Sequence, residues 1–82
     1  MTHLARSPKD IGAIVRRLRK KLQLTQTGLG NKTHMRQATI SALETGEAGT
    51  QIKTLTDILA ALNLEIIIQE RTSGSDIESI LS

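Results

Sequence analysis

No cysteine and no aromatic residue occur among these 82 residues, and there is a single proline. Without cysteine, disulfide staples and thiolate metal sites are excluded, and a reducing cytoplasm is the natural setting. Without Phe, Tyr or Trp there is no platform for stacking unpaired bases, which argues against single-strand or RNA recognition and leaves duplex binding open. His3 and His34 are the only histidines, too few and too separated to suggest a metal centre, and no cofactor is expected. No apolar run approaches the roughly 18 residues of a membrane span, and the N-terminus carries no signal-like stretch. The expected location is cytoplasmic, with no membrane contact. A domain of this length buries only about 60% of its unfolded surface. With the other staples excluded, oligomerisation is the expected source of added stability.

What is present begins with charge, and its distribution matters more than its sum. Residues 1–53 carry ten Lys or Arg against three acids, a balance of +7, whereas residues 54–82 carry Arg71 against five acids, a balance of −4. One half suits a polyanion and the other half faces something else. The plainer alternative is a pair of solvated, solubilising faces.

Along the chain, Ser7-Pro8-Lys9-Asp10 is a helix start, with Ser7 as N-cap, Pro8 at the first helical position and Asp10 three residues after the cap. Ile11, Ile14, Val15, Leu18 and Leu22 follow at helical spacing, with the Arg and Lys residues of 16–21 mostly off that stripe. A helix over residues 8–23 is predicted. Thr25 caps a second helix from Gln26, weak by propensity because Gly28 and Gly30 each cost about 1 kcal/mol relative to Ala. Gly30 is expected where a third helix crosses. That third helix covers Gln37 to Thr45, with Ile40 and Leu43 inward and Gly46 as its left-handed stop. After a loop, Thr54 and Asp57 suggest the cap of a fourth helix ending at Asn63, with Leu55, Ile58, Leu59 and Leu62 inward.

At Leu64-Glu65-Ile66-Ile67-Ile68-Gln69-Glu70 the period changes. Three consecutive isoleucines favour a strand, although a fourth helix running on to residue 70 is the alternative. A lone strand with exposed edges is an aggregation hazard, and pairing with its copy in a second subunit removes it. The predicted organisation is an N-terminal arm (1–7), a helix-turn-helix domain (8–63, motif 26–45), a dimerisation strand (64–70, carried by Ile66, Ile67 and Ile68) and a flexible tail (71–82).

The run Thr25-Gln26…Leu29…Ile40-Ser41…Leu43-Glu44…Gly46 resembles the phage-repressor-like, Cro/C1 or xenobiotic-response-element type of helix-turn-helix over about residues 9–62. It departs from that pattern at Gly30, where Ala is usual, and at His34, where the corner usually has Gly at positive φ. Histidine is enriched among non-Gly residues that adopt this region. A wider frame is similar to the HipB-type antitoxins: Ser7-Pro8, then Leu24-Thr25-Gln26, then Arg36-Gln37-Ala38-Thr39-Ile40-Ser41, then Leu59-x-x-Leu62-x-Leu64-Glu65 and a terminal strand. The resemblance implies an all-α domain of four to five helices with one C-terminal β-strand pairing across a homodimer. It also implies binding to palindromic double-stranded operator DNA, autorepression, and neutralisation of a HipA-type kinase toxin. A free-standing repressor without a toxin, and an interaction module that no longer binds DNA, are the competing readings.

Within that frame the third helix enters the major groove N-terminus first. Arg36 suits guanine and Gln37 suits adenine by bidentate pairing, and Ala38 suits a thymine methyl. Ser41 and Thr45 extend the same outward face as base-reading candidates. Thr25 and Gln26, at a helix start with free N–H groups, together with Lys32, Thr39, Arg16 and Arg17, are the phosphate candidates, though Thr25 is needed as a cap in any case. No nucleophile–base pair, metal spacing or phosphate-cradling glycine loop is visible, so neither enzymatic activity nor a small-molecule substrate is expected.

Overall fold

A computed structural model describes residues 2–71; most of the predicted tail, 72–82, lies outside the described residues. Four helices follow in order: α1 (Pro8–Lys21), α2 (Gln26–Thr33), α3 (Gln37–Glu44) and α4 (Ile52–Ala61). The start of α1 works as its sequence suggests. The Asp10 amide donates to Ser7 Oγ at 3.0 Å, and the Asp10 carboxylate accepts from the Arg6 amide at 2.9 Å. At α2 the Gly28 amide donates to Thr25 Oγ1 at 2.9 Å, so the weakest helix by propensity has a side-chain cap.

All four described helices end through the same device. A residue at positive φ stands at the cap of α2 and just after the cap of the other three: Gln23 at 61°, His34 at 58°, Gly46 at 80° and Asn63 at 59°. The next amide then reaches back five residues in the manner of a Schellman turn. Leu24 donates to Arg19 at 3.1 Å, Met35 to Gly30 at 2.8 Å, Glu47 to Ala42 at 3.1 Å and Leu64 to Leu59 at 2.8 Å. Leu24, Met35 and Leu64 then pack on the core, so three of the four turns also place an apolar latch. His34 occupies the left-handed corner expected of it, and Gly46 the expected stop.

Helix α3 packs against both α1 and α2, and α2 packs against α4. Val15, Leu29, Ile40, Leu43, Ile58 and Leu62 form the buried core, at least one from each helix or its cap. Helix α1 meets α3 at Gly12, where an added Cβ would lie 2.6 Å from the Glu44 carbonyl oxygen and closer still to that of Leu43. Gly30 approaches the corner rather than the body of α3: an added Cβ there would lie 2.6 Å from the Met35 carbonyl oxygen.

Several expectations are corrected. Helix α1 stops at Lys21 because Gln23 turns left-handed. Helix α4 begins at Ile52 with Gln51 as its N-cap residue, so Thr54 lies inside the helix and caps nothing. Asp57 instead accepts from Lys53 Nζ at 2.8 Å on the helix surface. Of the α1 stripe, Val15 is core and Ile11 packs on it, whereas Ile14, Leu18 and Leu22 are not among the residues packed against the core. Residues 64–70 form neither helix nor strand in the single chain, and no strand occurs among the described residues. The left-handed Asn63 ends α4, so the continuous-helix alternative fails. A strand requires a hydrogen-bonding neighbour, and the described residues of one chain offer none.

Candidate nucleic-acid interface

The base-reading candidates sit at the exposed start and outer face of α3. Arg36 is its N-cap residue, without a side-chain cap bond, and Arg36, Gln37, Ala38 and Thr45 are exposed while Ser41 is half-buried. Because residues three and four apart share a helix face, Ala38, Ser41 and Thr45 line one side, with Ala42 among them. Ala42 was not picked out from the sequence, where it reads as filler between Ser41 and Leu43. It lines an open groove between α3 and the 46–51 loop, along with Arg36, Ala38, Thr39 and Thr50. Thr45 Oγ1 is turned back to the Ala42 carbonyl at 3.0 Å.

Beneath this face lies a polar chain that ties three helices together. Arg19 Nε donates to Glu44 Oε2 at 2.6 Å, and a second guanidinium nitrogen donates to Oε1 at 3.0 Å; the third donates to the Leu24 carbonyl at 2.7 Å. Gln26 Nε2 donates to Glu44 Oε1 at 3.2 Å, and Gln37 Nε2 donates to Gln26 Oε1 at 2.5 Å. Arg19 and Glu44 are both buried. Burial works to raise the Glu44 carboxyl, but hydrogen bonds from Arg19 and Gln26 and the charges of Arg19 and Arg16 outweigh it, holding Glu44 below the usual range. The bond to Glu44 raises Arg19 against the opposing effect of burial.

The polarity of this chain is fixed at its buried end. An ionised carboxylate only accepts, so Gln26 must present its NH2 to Glu44 and its carbonyl to Gln37. Gln37 then spends one amide hydrogen inward, leaving the second hydrogen and its carbonyl oxygen for a ligand. One donor and one acceptor side by side match the adenine edge in the major groove. Arg19 and Glu44 were missed in the sequence reading, where Arg19 counted among off-stripe cations. A signal was available: Arg19 is four residues after Val15 and Glu44 four after Ile40, so opposite charges stand at core-facing positions of two helices.

A helix-turn-helix family model matches residues 15–68. The chain belongs to the helix-turn-helix family. Among solved structures, a HipB–O4 20mer complex superposes with a TM-score of 0.80 at 27% identity, covering 87% of this chain and 100% of that one. HipB in a HipA–HipB–O2–O3 complex gives a TM-score of 0.79 at 27% identity with the same coverage. A HipB–O1–O2 complex gives 0.77 at 28% identity over 84% of this chain and 100% of that one. No curated protein matches the chain. The match to helix-turn-helix, DNA-binding regulators accords with the exposed N-terminal end of α3.

The remaining candidates are more dispersed around this helix-turn-helix. Gln26 is half-buried and joined to Gln37, whereas Thr25, Lys32, Arg16 and Arg17 are exposed. Thr25 Oγ1 is already engaged as a cap, leaving backbone N–H groups at the α2 start. Arg17 lies on α1, where a guanidinium nitrogen is 3.2 Å from His3 Nδ1. Lys32 stands in the last turn of α2. Ile66, Ile67 and Ile68 are 50%, 65% and 93% exposed, outside the helical domain. No helix among the described residues is long and apolar enough to cross a membrane.

Proposed function

We propose that this protein is a sequence-specific, double-stranded DNA-binding autorepressor that acts as a homodimer on an inverted-repeat operator. We also propose that it is the antitoxin to a HipA-type kinase toxin, itself without catalytic activity. The observation that carries the DNA reading is the directional chain Arg19–Glu44–Gln26–Gln37, which presents a donor–acceptor pair at the exposed start of α3. In this reading Arg36, Gln37, Ala38, Ser41 and Thr45 face bases, while Thr25, Gln26, Lys32, Thr39, Arg16 and Arg17 meet phosphates and set the docking angle. A duplex rather than a single strand is the ligand, since the chain offers no aromatic surface for stacking.

The dimer reading rests on Ile66–Ile68. Their exposure leaves three large apolar side chains in water, and antiparallel pairing of residues 64–70 between two copies covers them and satisfies their backbone. A two-fold pair would set its α3 helices about one DNA turn apart, roughly 34 Å. The toxin reading is supported by the likeness to HipB across nearly nine-tenths of this chain, including HipB held in a complex with HipA. A free-standing repressor with the same fold is the second reading; toxin copurification from the native operon separates the two.

The direct test is binding to the DNA upstream of its own gene, with footprinting and a base-substitution scan. Gln37→Ala should relax preference at one position per half-site by about 1–3 kcal/mol. Affinity should also fall steeply with salt. Unchanged preference in Gln37→Ala would remove Gln37 from the reading face, and a flat salt response would remove the phosphate contacts.

A further inference from the structure

Readily oxidised side chains are scarce in this chain. It has no cysteine, tryptophan or tyrosine, and its only two sulfur atoms belong to Met1 and Met35. Met35 stands at the corner between α2 and α3. At the two other helix-ending turns that carry an apolar latch, the latch is a leucine, Leu24 or Leu64. At the turn leading into α3 it is a thioether, half-buried at the edge of the core rather than sealed within it. The backbone of Met35 rests closely on α2. Its amide donates to the Gly30 carbonyl at 2.8 Å, and its carbonyl oxygen would lie 2.6 Å from a Cβ added at Gly30. The helix that follows has no cap bond of its own, because the Arg36 side chain caps nothing. The start of α3 therefore leans on the Met35 latch and on the Gln37–Gln26 hydrogen bond.

We infer that Met35 is an oxidation site, modified by a two-electron oxygen donor of the peroxide class, and that its sulfoxide frees the start of α3 from α2. Resting on the DNA-binding reading above, this modification is a signal that releases the operator. The thioether sulfur attacks one peroxide oxygen; an S–O bond forms and the O–O bond breaks. Sulfur gives up two electrons, and the departing hydroxide takes the remaining proton and leaves as water. A flexible apolar side chain thereby becomes a polar, chiral one. The cluster that Met35 packs against is wholly aliphatic and has no side-chain donor for the new oxygen. Burying that oxygen unpaired is unfavourable, so the side chain turns out to water and the latch opens. Arg36 and Gln37 come next in the chain, so movement at the latch displaces the first residues proposed to face bases. The leucine latches cannot respond in this way. A thiol-dependent methionine sulfoxide reductase reverses the change: the oxygen leaves as water while two thiols become a disulfide.

The test treats the full chain with hydrogen peroxide and follows sulfoxide at each methionine by peptide mass spectrometry. Affinity for labelled upstream DNA is read by anisotropy, and folding by far-UV circular dichroism. The oxidised parent should keep its helical signal while its operator Kd rises at least about tenfold, equivalent to about 1.4 kcal/mol. Reductase with dithiothreitol should restore the original Kd. Met35→Leu should bind like the parent and keep its affinity under peroxide, even with Met1 oxidised. Met35→Gln, an uncharged polar stand-in for the sulfoxide, should bind weakly with no oxidant present. Without DNA, the Met35 amide should exchange its hydrogen faster in the oxidised parent, because its bond to Gly30 depends on the closed latch. A Met35 that resists peroxide, an oxidised parent with unchanged Kd and amide exchange, or a Met35→Leu chain that weakens as the parent does overturns the inference. Loss of the helical signal on oxidation also overturns it, since the effect is then global unfolding. A parent that binds no upstream DNA, yet shows faster Met35 exchange on oxidation, overturns the DNA reading and leaves the oxidation site standing.

Discussion

Replacing Glu44 by Gln tests whether the buried polar chain is structural, functional or both. In the parent, Glu44 neutralises Arg19 and accepts from Gln26, and both charged side chains are buried. Glu44→Gln keeps the shape but leaves a buried guanidinium without its counter-charge. Losing one partner of such a pair costs about 3–5 kcal/mol, and the low end applies because the Gln carbonyl still accepts one bond. For a domain of this size each kcal/mol moves Tm by about 4–8 °C, so a fall of roughly 12 °C or more is expected. Thermal melts followed by far-UV circular dichroism are the assay, since the chain has no Tyr or Trp to report by fluorescence. Protein concentration must be matched, because a dimer's Tm depends on it.

The informative comparison is with Arg19→Met combined with Glu44→Leu. Replacing both members of a buried ion pair by apolar groups is often neutral or stabilising, so Tm should return to the parent value or rise above it. Gln26 nevertheless loses the acceptor that fixes its amide, and Gln37 loses its imposed polarity. Discrimination at the base facing Gln37 should therefore weaken in a double variant that folds as well as the parent. A Glu44→Gln protein melting within about 3 °C of the parent, less than 1 kcal/mol on the same scale, would refute the energetic argument. A stable double variant with full discrimination would refute the orienting role.

Other expectations follow from single positions. Gly12→Ala forces a methyl against the Leu43 and Glu44 carbonyls and should cost about 1–3 kcal/mol in urea unfolding, because backbone cannot step aside as a side chain can. His34→Gly relieves a left-handed non-glycine corner and should raise the urea midpoint by up to about 1 kcal/mol of stability, leaving operator affinity unchanged. Acid should unfold the parent through Glu44, whose folded pKa is lowered. Its stabilisation is fully present above the unfolded glutamate value of about 4.3 and is lost as pH falls through the folded value. Melts at stepped pH should show that slope in the parent and less of it in the double variant.

The helices were legible because their signals are local. Ser7-Pro8 and Thr25 are caps, Gly46 and Asn63 are stops, and the corner at His34 follows from motif spacing. What misled was context. Thr54 and Asp57 have the spacing of a cap, but Gln51 precedes them and starts α4 with no side-chain bond. Gln23 carries no turn signature, yet it adopts a left-handed conformation because Leu24 must reach the core. Periodicity alone grouped Ile14, Leu18 and Leu22 with Val15, whereas the narrow contact between α1 and α3 at Gly12 turns the helix so that only part of its stripe faces inward. The residues proposed to face bases come from the motif alone. The Arg19–Glu44 pair beneath them required two helices to be placed side by side.

Three of the four helix ends bear their left-handed turn on a residue other than glycine: Gln23, His34 and Asn63. Each such turn costs about 1 kcal/mol or somewhat more, least for Asn, in a domain whose whole stability is of order 5–15 kcal/mol. A glycine at any of them would lengthen the time the chain spends closed to proteases without altering a side chain proposed to face DNA. The helix ends are therefore positions where stability can be changed while the side chains proposed to face DNA stay fixed.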